Sequence, residues 1–220
     1  MLAQHFFNRD ASIVAANLIG KVIRRRLYHT WLSAQIIETE AYYIHEKGSH
    51  SSLGRTPSRE AMFMGPGAIY MYHAHGKGSL NVSCQGEGNA VLIKSAYPFI
   101  DEKTPNNMLS MMESFHAKQK KMSELCAGQT LLCTSLHLEV CDWNRAQFDE
   151  RTFFIENINY SPTHLVQAQR LGIAKHRDAH LKLRFIDYEK LAFCTSNPLK
   201  KRQWCEGKEY DVISTLSGKN

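Results

Sequence analysis

The sequence has little of what marks membrane proteins, secreted proteins or metalloproteins. Its apolar runs all fall short of the ~20 residues that cross a bilayer. Residues 1–10 carry no basic segment followed by an apolar one, so the sequence predicts no signal peptide. The six cysteines are scattered without a C-x-x-C pair, which favours reduced thiols over a disulfide framework or a structural zinc site. We therefore expect a cytoplasmic protein without a membrane partner.

Motifs for metal and nucleotide binding are missing or incomplete. His45 and His50 stand at i and i+5, whereas a zinc-binding helix needs its two histidines at i and i+4. Residues 86–91 approach a dinucleotide fingerprint but lack its third glycine and lead into a strand-like run. There is no phosphate-binding loop and no nucleophile elbow. The sequence thus predicts neither a metal ion nor a cofactor.

What the sequence does contain is the composition of a folded domain with an excess of positive charge. Its 220 residues are 43% hydrophobic and 22% charged, which is typical of globular proteins. We expect one domain over residues 1–202, followed by a polar tail over residues 203–220. The net charge of +6 favours a polyanionic partner or an anionic substrate, although a merely basic protein would have the same charge.

The pattern of apolar residues predicts an α+β fold with a largely antiparallel sheet. A helix is expected over residues 11–17, with Asp10 as its N-cap and Gly20 as its stop. Residues 21–27 and 32–40 are expected to form a hairpin around residues 28–31. Further strands are predicted at 68–72, 90–94, 152–155 and 181–186. Helices are predicted at 107–121 and 123–138, and turns around the glycines at 76, 78, 86 and 88.

Two acidic residues and a group of aromatic residues stand out in this pattern. On a strand, Glu38 and Glu40 share one face. A carboxylate held away from water there can act as a general base, whereas a solvated edge strand would give both residues an ordinary role. A nearby group of rings is large enough to enclose a planar ligand, although a plain hydrophobic core is the alternative. Its members are Tyr42, Tyr43, His50, Tyr70 and Tyr72.

The order and spacing of these residues resemble one known family. The agreement spans roughly residues 5 to 196 and is most specific between residues 37 and 94. It includes Ile37-Glu-Thr-Glu-Ala-Tyr42, His50, Arg55-Thr-Pro-Ser-Arg59, Met62-Phe63, Pro66-Gly67, Tyr70-Met-Tyr72, Leu80-Asn81 and Ala90-Val-Leu-Ile93. Later matches are Leu125-Cys-Ala-Gly128, Arg170-Leu-Gly-Ile173 and Leu183-Arg-Phe185. The sequence is similar to the 3-methyladenine (alkyladenine) DNA glycosylases, the monofunctional type without a metal.

This resemblance implies a function and a role for each matching residue. It implies a single compact domain with a curved sheet and flanking helices. Such enzymes excise alkylated or deaminated purines that are flipped out of double-stranded DNA through the minor groove, leaving an abasic site without a lyase step. Glu40 matches the acid that activates water, and Asn81 matches the residue that excludes the amino group of guanine. The rings that match the stacking pocket are Tyr42, His50 and Tyr72.

The sequence also departs from the family pattern at three places. Lys94 stands where the family has an arginine near the water and a phosphate, and we assign it with Glu40 to the catalytic group. His75 stands where the family commonly has a tyrosine that fills the gap left by the flipped nucleotide. Gly128-Gln-Thr-Leu131 replaces a Gly-Pro-x-Lys segment. The residues expected to contact DNA are His75, Arg55, Arg59 and Met62.

Two other functions fit the same residues. One is a damaged-DNA binding module that excises slowly or not at all, because Lys94 and the altered helix start weaken catalysis. The other is a purine nucleoside hydrolase that uses the same acid on a free nucleoside. We expect a monomer, associated with the nucleoid in a bacterium or located in the nucleus in a eukaryote.

Overall fold

The computed structural model describes residues 1–215. Within this range the chain forms nine strands and five short α-helices. The strands are β1 (Val22–Leu27), β2 (Thr30–Tyr42), β3 (Ile69–Ala74), β4 (Lys77–Ser83), β5 (Ala90–Pro98), β6 (Phe153–Glu156), β7 (His164–Ala168), β8 (Arg184–Asp187) and β9 (Tyr210–Ser214). The helices are α1 (Gln4–Phe7), α2 (Ala11–Leu18), α3 (Met108–Ser114), α4 (Gln129–Ser135) and α5 (Val140–Trp143).

All strands belong to one sheet organised around β2. The sheet runs β3-β4-β5-β2-β8-β7-β9, and β1 and β6 extend it beside the first half of β2. Every pair is antiparallel. The predicted α+β class with an antiparallel sheet is therefore confirmed. Because β2 pairs along both edges, the interpretation of residues 32–40 as a solvated edge strand is wrong.

The first helix and the first hairpin follow the predicted signals. Asp10 accepts hydrogen bonds from the backbone amides of Ser12 and Ile13, which caps α2 at its N-terminus. The chain leaves the helix before Gly20, which has a φ of 86°. The β1–β2 turn is shorter than expected, since residues 27 and 30 are already paired.

Several elements differ from the prediction for identifiable reasons. The predicted turn at Gly76 is present, whereas Gly78 lies within β4, where it lets the strand pack closely against the chain just after α4. A Cβ there would lie 3.0 Å from the carbonyl oxygen of Leu138. The predicted helix at 123–138 is interrupted by Gly128, whose φ of 137° is not helical. The helix expected over residues 107–121 ends at Ser114.

Part of the segment predicted to be a tail forms a strand. Residues 203–220 were predicted to be a polar tail, yet β9 pairs with β7 from Tyr210 to Ser214. The rest of that prediction, residues 216–220, lies outside the described residues. Within residues 1–215, no helix is both long enough and apolar enough to cross a bilayer.

The main core lies between the sheet and the helices, and it fixes which face of β2 is left for a site. Thr39 donates a hydrogen bond to the carbonyl oxygen of Ala15 in α2, so odd-numbered residues of this part of β2 face that helix. Val91 and Ile93 of β5 belong to the same core. Because side chains alternate along a strand, the even-numbered residues Glu38 and Glu40 face the other side.

Candidate active site

The register of four strands places four residues in one row across the face of the sheet opposite α2. Glu40 on β2 lies opposite Leu92 on β5, and Leu92 lies opposite Asn81 on β4. Asn81 in turn lies opposite Tyr70 on β3. Directly paired residues project from the same face of a sheet. Residues far apart in the chain therefore lie in one row that begins at Glu40 and ends at Tyr70.

Glu40 is fully buried, and both of its carboxylate oxygens have partners. The Tyr42 hydroxyl donates to Oε2 at 2.7 Å, and the backbone amide of Leu171 approaches Oε1 at 3.4 Å. The Lys94 amine lies 3.7 Å from Oε2. Burial and then the negative charge of Glu40 raise the pKa of Tyr42 well above its usual value, so its phenol remains a donor. This arrangement holds a carboxylate in a fixed orientation.

Glu38 has the same face and the same burial but a different environment. Its Oε1 accepts a hydrogen bond from Arg184 Nε at 2.6 Å, and both side chains are fully buried. Its Oε2 accepts from the Ser95 hydroxyl and from the backbone and side chain of Thr195. With its oxygens engaged by so many donors, Glu38 is suited to holding strands together and not to taking a proton from water.

The rings of His50, Tyr70 and Tyr72 pack together at the Tyr70 end of the row. The His50 and Tyr72 centroids are 4.5 Å apart at an angle of 66°, and Tyr70 stacks on Tyr72 at 5.6 Å. His50 Nδ1 lies 3.2 Å from the Tyr70 hydroxyl. Burial, followed by the positive charges of Arg59 and Arg177, lowers the pKa of His50. At neutral pH its ring is therefore uncharged, and the cluster offers neutral aromatic surface.

The three rings and Asn81 line one cavity of about 310 Å³, at the lower end of the range of small-molecule pockets. Glu40 is not in its lining, but Tyr42 and Lys94, which contact the Glu40 carboxylate, are. Its predicted site residues are Tyr42, His50, Met62, Tyr72, His75, Asn81 and Lys94. Met62, expected to contact DNA, is only 3% exposed and forms part of the cavity wall. His75 is exposed at the tip of the β3–β4 hairpin, with a φ of 51°.

The two arginines expected to contact DNA do not line this cavity. Arg55 is exposed and forms an ion pair with Glu60. Arg59 donates to the backbone carbonyls of Leu53 and Gly54, which fixes the loop in front of the pocket. Within residues 1–215, no group of three or more His, Cys, Asp or Glu side chains is arranged to hold a metal ion.

The segment after β7 supplies site residues that the sequence did not single out for a role. Arg170 is buried and forms an ion pair with Glu46, and its guanidinium lies 4.4 Å from the centroid of the Tyr42 ring. It also donates to the carbonyl oxygen of Ala41. Leu171 follows directly and points its amide at Glu40. The sequence did offer one signal for these residues: segment 170–173 matches the family pattern, although no role was assigned to it.

Gln129 is a second addition, and it stands at one of the departures from the family pattern. It is the first residue of α4 and lines the cavity. The Lys94 amine donates to its side-chain oxygen at 3.3 Å. Lys94 is therefore held between the amide of Gln129 and the carboxylate of Glu40.

Known proteins are similar to this chain over most of its length. A family model for methylpurine-DNA glycosylases matches residues 5–190. The chain is 48% identical over 216 residues to a provisionally named 3-methyladenine DNA glycosylase of Pseudomonas aeruginosa strain LESB58, covering 96% of this chain and 90% of that protein. It is 50% identical to a protein of the same name from Pseudomonas fluorescens, covering 96% and 93%.

A more distant relative comes from an animal. The DNA-3-methyladenine glycosylase of Mus musculus is 35% identical over 180 residues, covering 78% of this chain and 54% of the mouse protein. The match extends over most of the chain and includes the segment that carries the pocket. This chain belongs to the methylpurine-DNA glycosylase family.

Proposed function

We propose that the protein hydrolyses the N-glycosidic bond of alkylated or deaminated purines flipped out of double-stranded DNA, leaving an abasic site. The observation that carries the proposal is the buried Glu40 carboxylate at one end of the row Glu40, Leu92, Asn81 and Tyr70, beside a pocket walled by aromatic rings. A base inside a duplex cannot reach such a pocket, so the nucleotide must first leave the stack. The positive net charge supports a polyanionic substrate.

In this proposal Glu40 acts as the general base. A water molecule attacks the sugar carbon, Glu40 takes a proton from that water, and the bond to the purine nitrogen breaks with its electron pair leaving on the base. The Tyr42 hydroxyl and the Leu171 amide orient the carboxylate. Lys94 supplies a positive charge next to Glu40 and toward the sugar-phosphate of the bound nucleotide.

The pocket suits the substrate in two ways. An N-alkylated purine is cationic, and a slot of neutral aromatic rings attracts it by stacking and cation–π interaction. Asn81 donates to the carbonyl oxygens of Tyr70 and Ser79. Its amide is therefore held in one position in the cavity wall. A fixed side chain there favours rejection of a base with an additional amino group.

The test uses one set of substrates that separates the three functions. Duplexes with a single hypoxanthine or 3-methyladenine are incubated with the protein, and abasic sites are detected by alkaline cleavage. Free inosine is assayed in parallel. Abasic sites in the duplex without inosine hydrolysis are expected. Tight damaged-DNA binding without abasic sites would favour the binding module, and hydrolysis of inosine alone would favour the nucleoside hydrolase.

Replacing Gln129 by leucine is expected to lower single-turnover excision by about 10-fold, because a hydrogen bond to a charged group is worth about 1.5–3 kcal/mol. Gln129→Glu keeps an acceptor oxygen and is expected to lose less. In a Lys94→Met background, Gln129→Leu should have no further effect, since its only proposed role is to hold Lys94. Equal losses in both backgrounds would assign the effect to the pocket wall instead.

Changes at His75 are expected to alter duplex binding more than chemistry. A larger ring stacks over more base area, so His75→Tyr should raise affinity for damaged duplex a few-fold, whereas His75→Ala should lower it. The backbone tolerates this, because Tyr28 already adopts a φ of 55°. Single-turnover excision from single-stranded DNA serves as the control and should not change. Parent-like binding by both variants would exclude His75 as the residue that fills the gap.

A further inference from the structure

A second cavity lies on the other flank of the β3–β4 hairpin. It has a volume of about 280 Å³ and none of its wall residues belongs to the aromatic pocket. Its side-chain walls are His73, Lys77, Phe115, Thr134, His137 and Glu139. The mechanism proposed above uses none of them.

The fold makes the hairpin a common wall between the two cavities. Tyr70 and Tyr72 of β3 line the aromatic pocket, and His73 lines the second cavity. At the tip, His75 lines the first cavity, whereas the next residues, Gly76 and Lys77, line the second. Whatever contacts the tip of the hairpin therefore lies close to both cavities.

The far wall comes from the end of α4. Gly78 packs so closely there that a Cβ would lie 3.0 Å from the Leu138 carbonyl oxygen. His137 adopts a φ of 50° directly after the helix and packs against Phe115 at 4.9 Å between ring centroids. The cavity is thus built from the hairpin, from Phe115 directly after α3, and from residues 134–139 at the end of α4 and after it.

This cavity is lined by one cation, one carboxylate and two imidazoles that can donate hydrogen bonds to an anion. Lys77 is exposed, and His73 and His137 add two imidazoles. Burial and then the charges of Lys77 and Lys120 lower the pKa of His116, so both lysines lie near that imidazole. The opposing carboxylates are Glu113 beside His116, and Glu139, which lies 3.9 Å from His137.

A hairpin that enters a DNA groove has a row of phosphates along each of its flanks, because the two strands border the groove on both sides. The flank with the aromatic pocket receives the strand that carries the extruded nucleotide. The other flank then meets the opposite strand. We infer that the cavity lined by His73, Lys77 and His137 binds a phosphate of the undamaged strand. This inference rests on the proposed function.

The experiment compares duplex with single-stranded DNA carrying the same hypoxanthine. Lys77→Gln is expected to reduce the salt dependence of duplex binding, with the slope of log K against log[salt] shrinking by about 0.9, as for one lost phosphate contact. Binding to, and excision from, the single strand should not change, because the contacted strand is absent. Lys77→Arg keeps the charge and should keep the parent slope.

Two further variants complete the test. Glu139→Gln removes the opposing carboxylate and is expected to raise duplex affinity. Lys208→Gln is the matched control: Lys208 is 82% exposed and precedes β9, at the opposite end of the sheet from β3. The inference would be overturned if Lys77→Gln kept the parent's salt dependence of duplex binding, or if Lys208→Gln changed it equally. Continued excision in these variants would leave the proposed function intact. Absence of excision from every substrate would instead refute the proposed function.

Discussion

Glu40→Gln is expected to reduce single-turnover excision by at least about 100-fold while changing damaged-DNA affinity no more than a few-fold. Glutamine has the shape of glutamate and keeps one acceptor oxygen, which serves either the Tyr42 hydroxyl or the Leu171 amide, since these donors bind different oxygens of Glu40. It does not take a proton from water. The loss should therefore fall on the chemical step, and a quench-flow or manual single-turnover assay on a hypoxanthine duplex measures it.

Glu38→Gln is the matched control, because it makes the same change two residues away on the same face of β2. Removing the charge opposite the fully buried Arg184 should lower the melting temperature. The fraction that remains folded is expected to excise at nearly the parent rate. Full activity in Glu40→Gln, together with loss of activity in folded Glu38→Gln, would move the catalytic role to Glu38.

The central part of the site could be predicted from the sequence because strand periodicity determines which side chains share a face. Glu40 and Tyr42 lie two apart on β2, and Tyr70 and Tyr72 lie two apart on β3. A period of two places each pair on one side of the sheet. Their roles came from the resemblance. The cross-strand register then brings Tyr42, Tyr70 and Tyr72 to one cavity, with Glu40 hydrogen-bonded to the Tyr42 hydroxyl.

The residues that hold these groups in place could not be found in this way. Arg170 contacts Tyr42 across more than a hundred residues of chain, and Gln129 reaches Lys94 from a different element. No local spacing relates such positions, since tertiary packing alone brings them together. A related reason applies to β9: Tyr210, Val212 and Ile213 favour a strand, but the run is short, stands among mostly polar residues and finds its partner only in β7.

Arg170→Met is expected to lower the free energy of unfolding by about 3–5 kcal/mol, because it leaves the carboxylate of Glu46 buried without its partner. The Arg170 and Glu46 side chains are 0% and 1% exposed, so water cannot replace the lost contact. Urea unfolding followed by circular dichroism measures the change.

The double variant Arg170→Met/Glu46→Leu separates the ion pair from the support that Arg170 gives to Tyr42. Removing both charges should restore most of the stability, because a buried ion pair can be replaced by apolar side chains at little cost. The Tyr42 ring would still lack the guanidinium stacked 4.4 Å from its centroid. We therefore expect a stable double variant that excises more slowly than the parent, with the loss concentrated in KM, since Tyr42 is proposed to contact the base and Glu40 is unchanged. Full recovery of both stability and KM would limit Arg170 to a structural role.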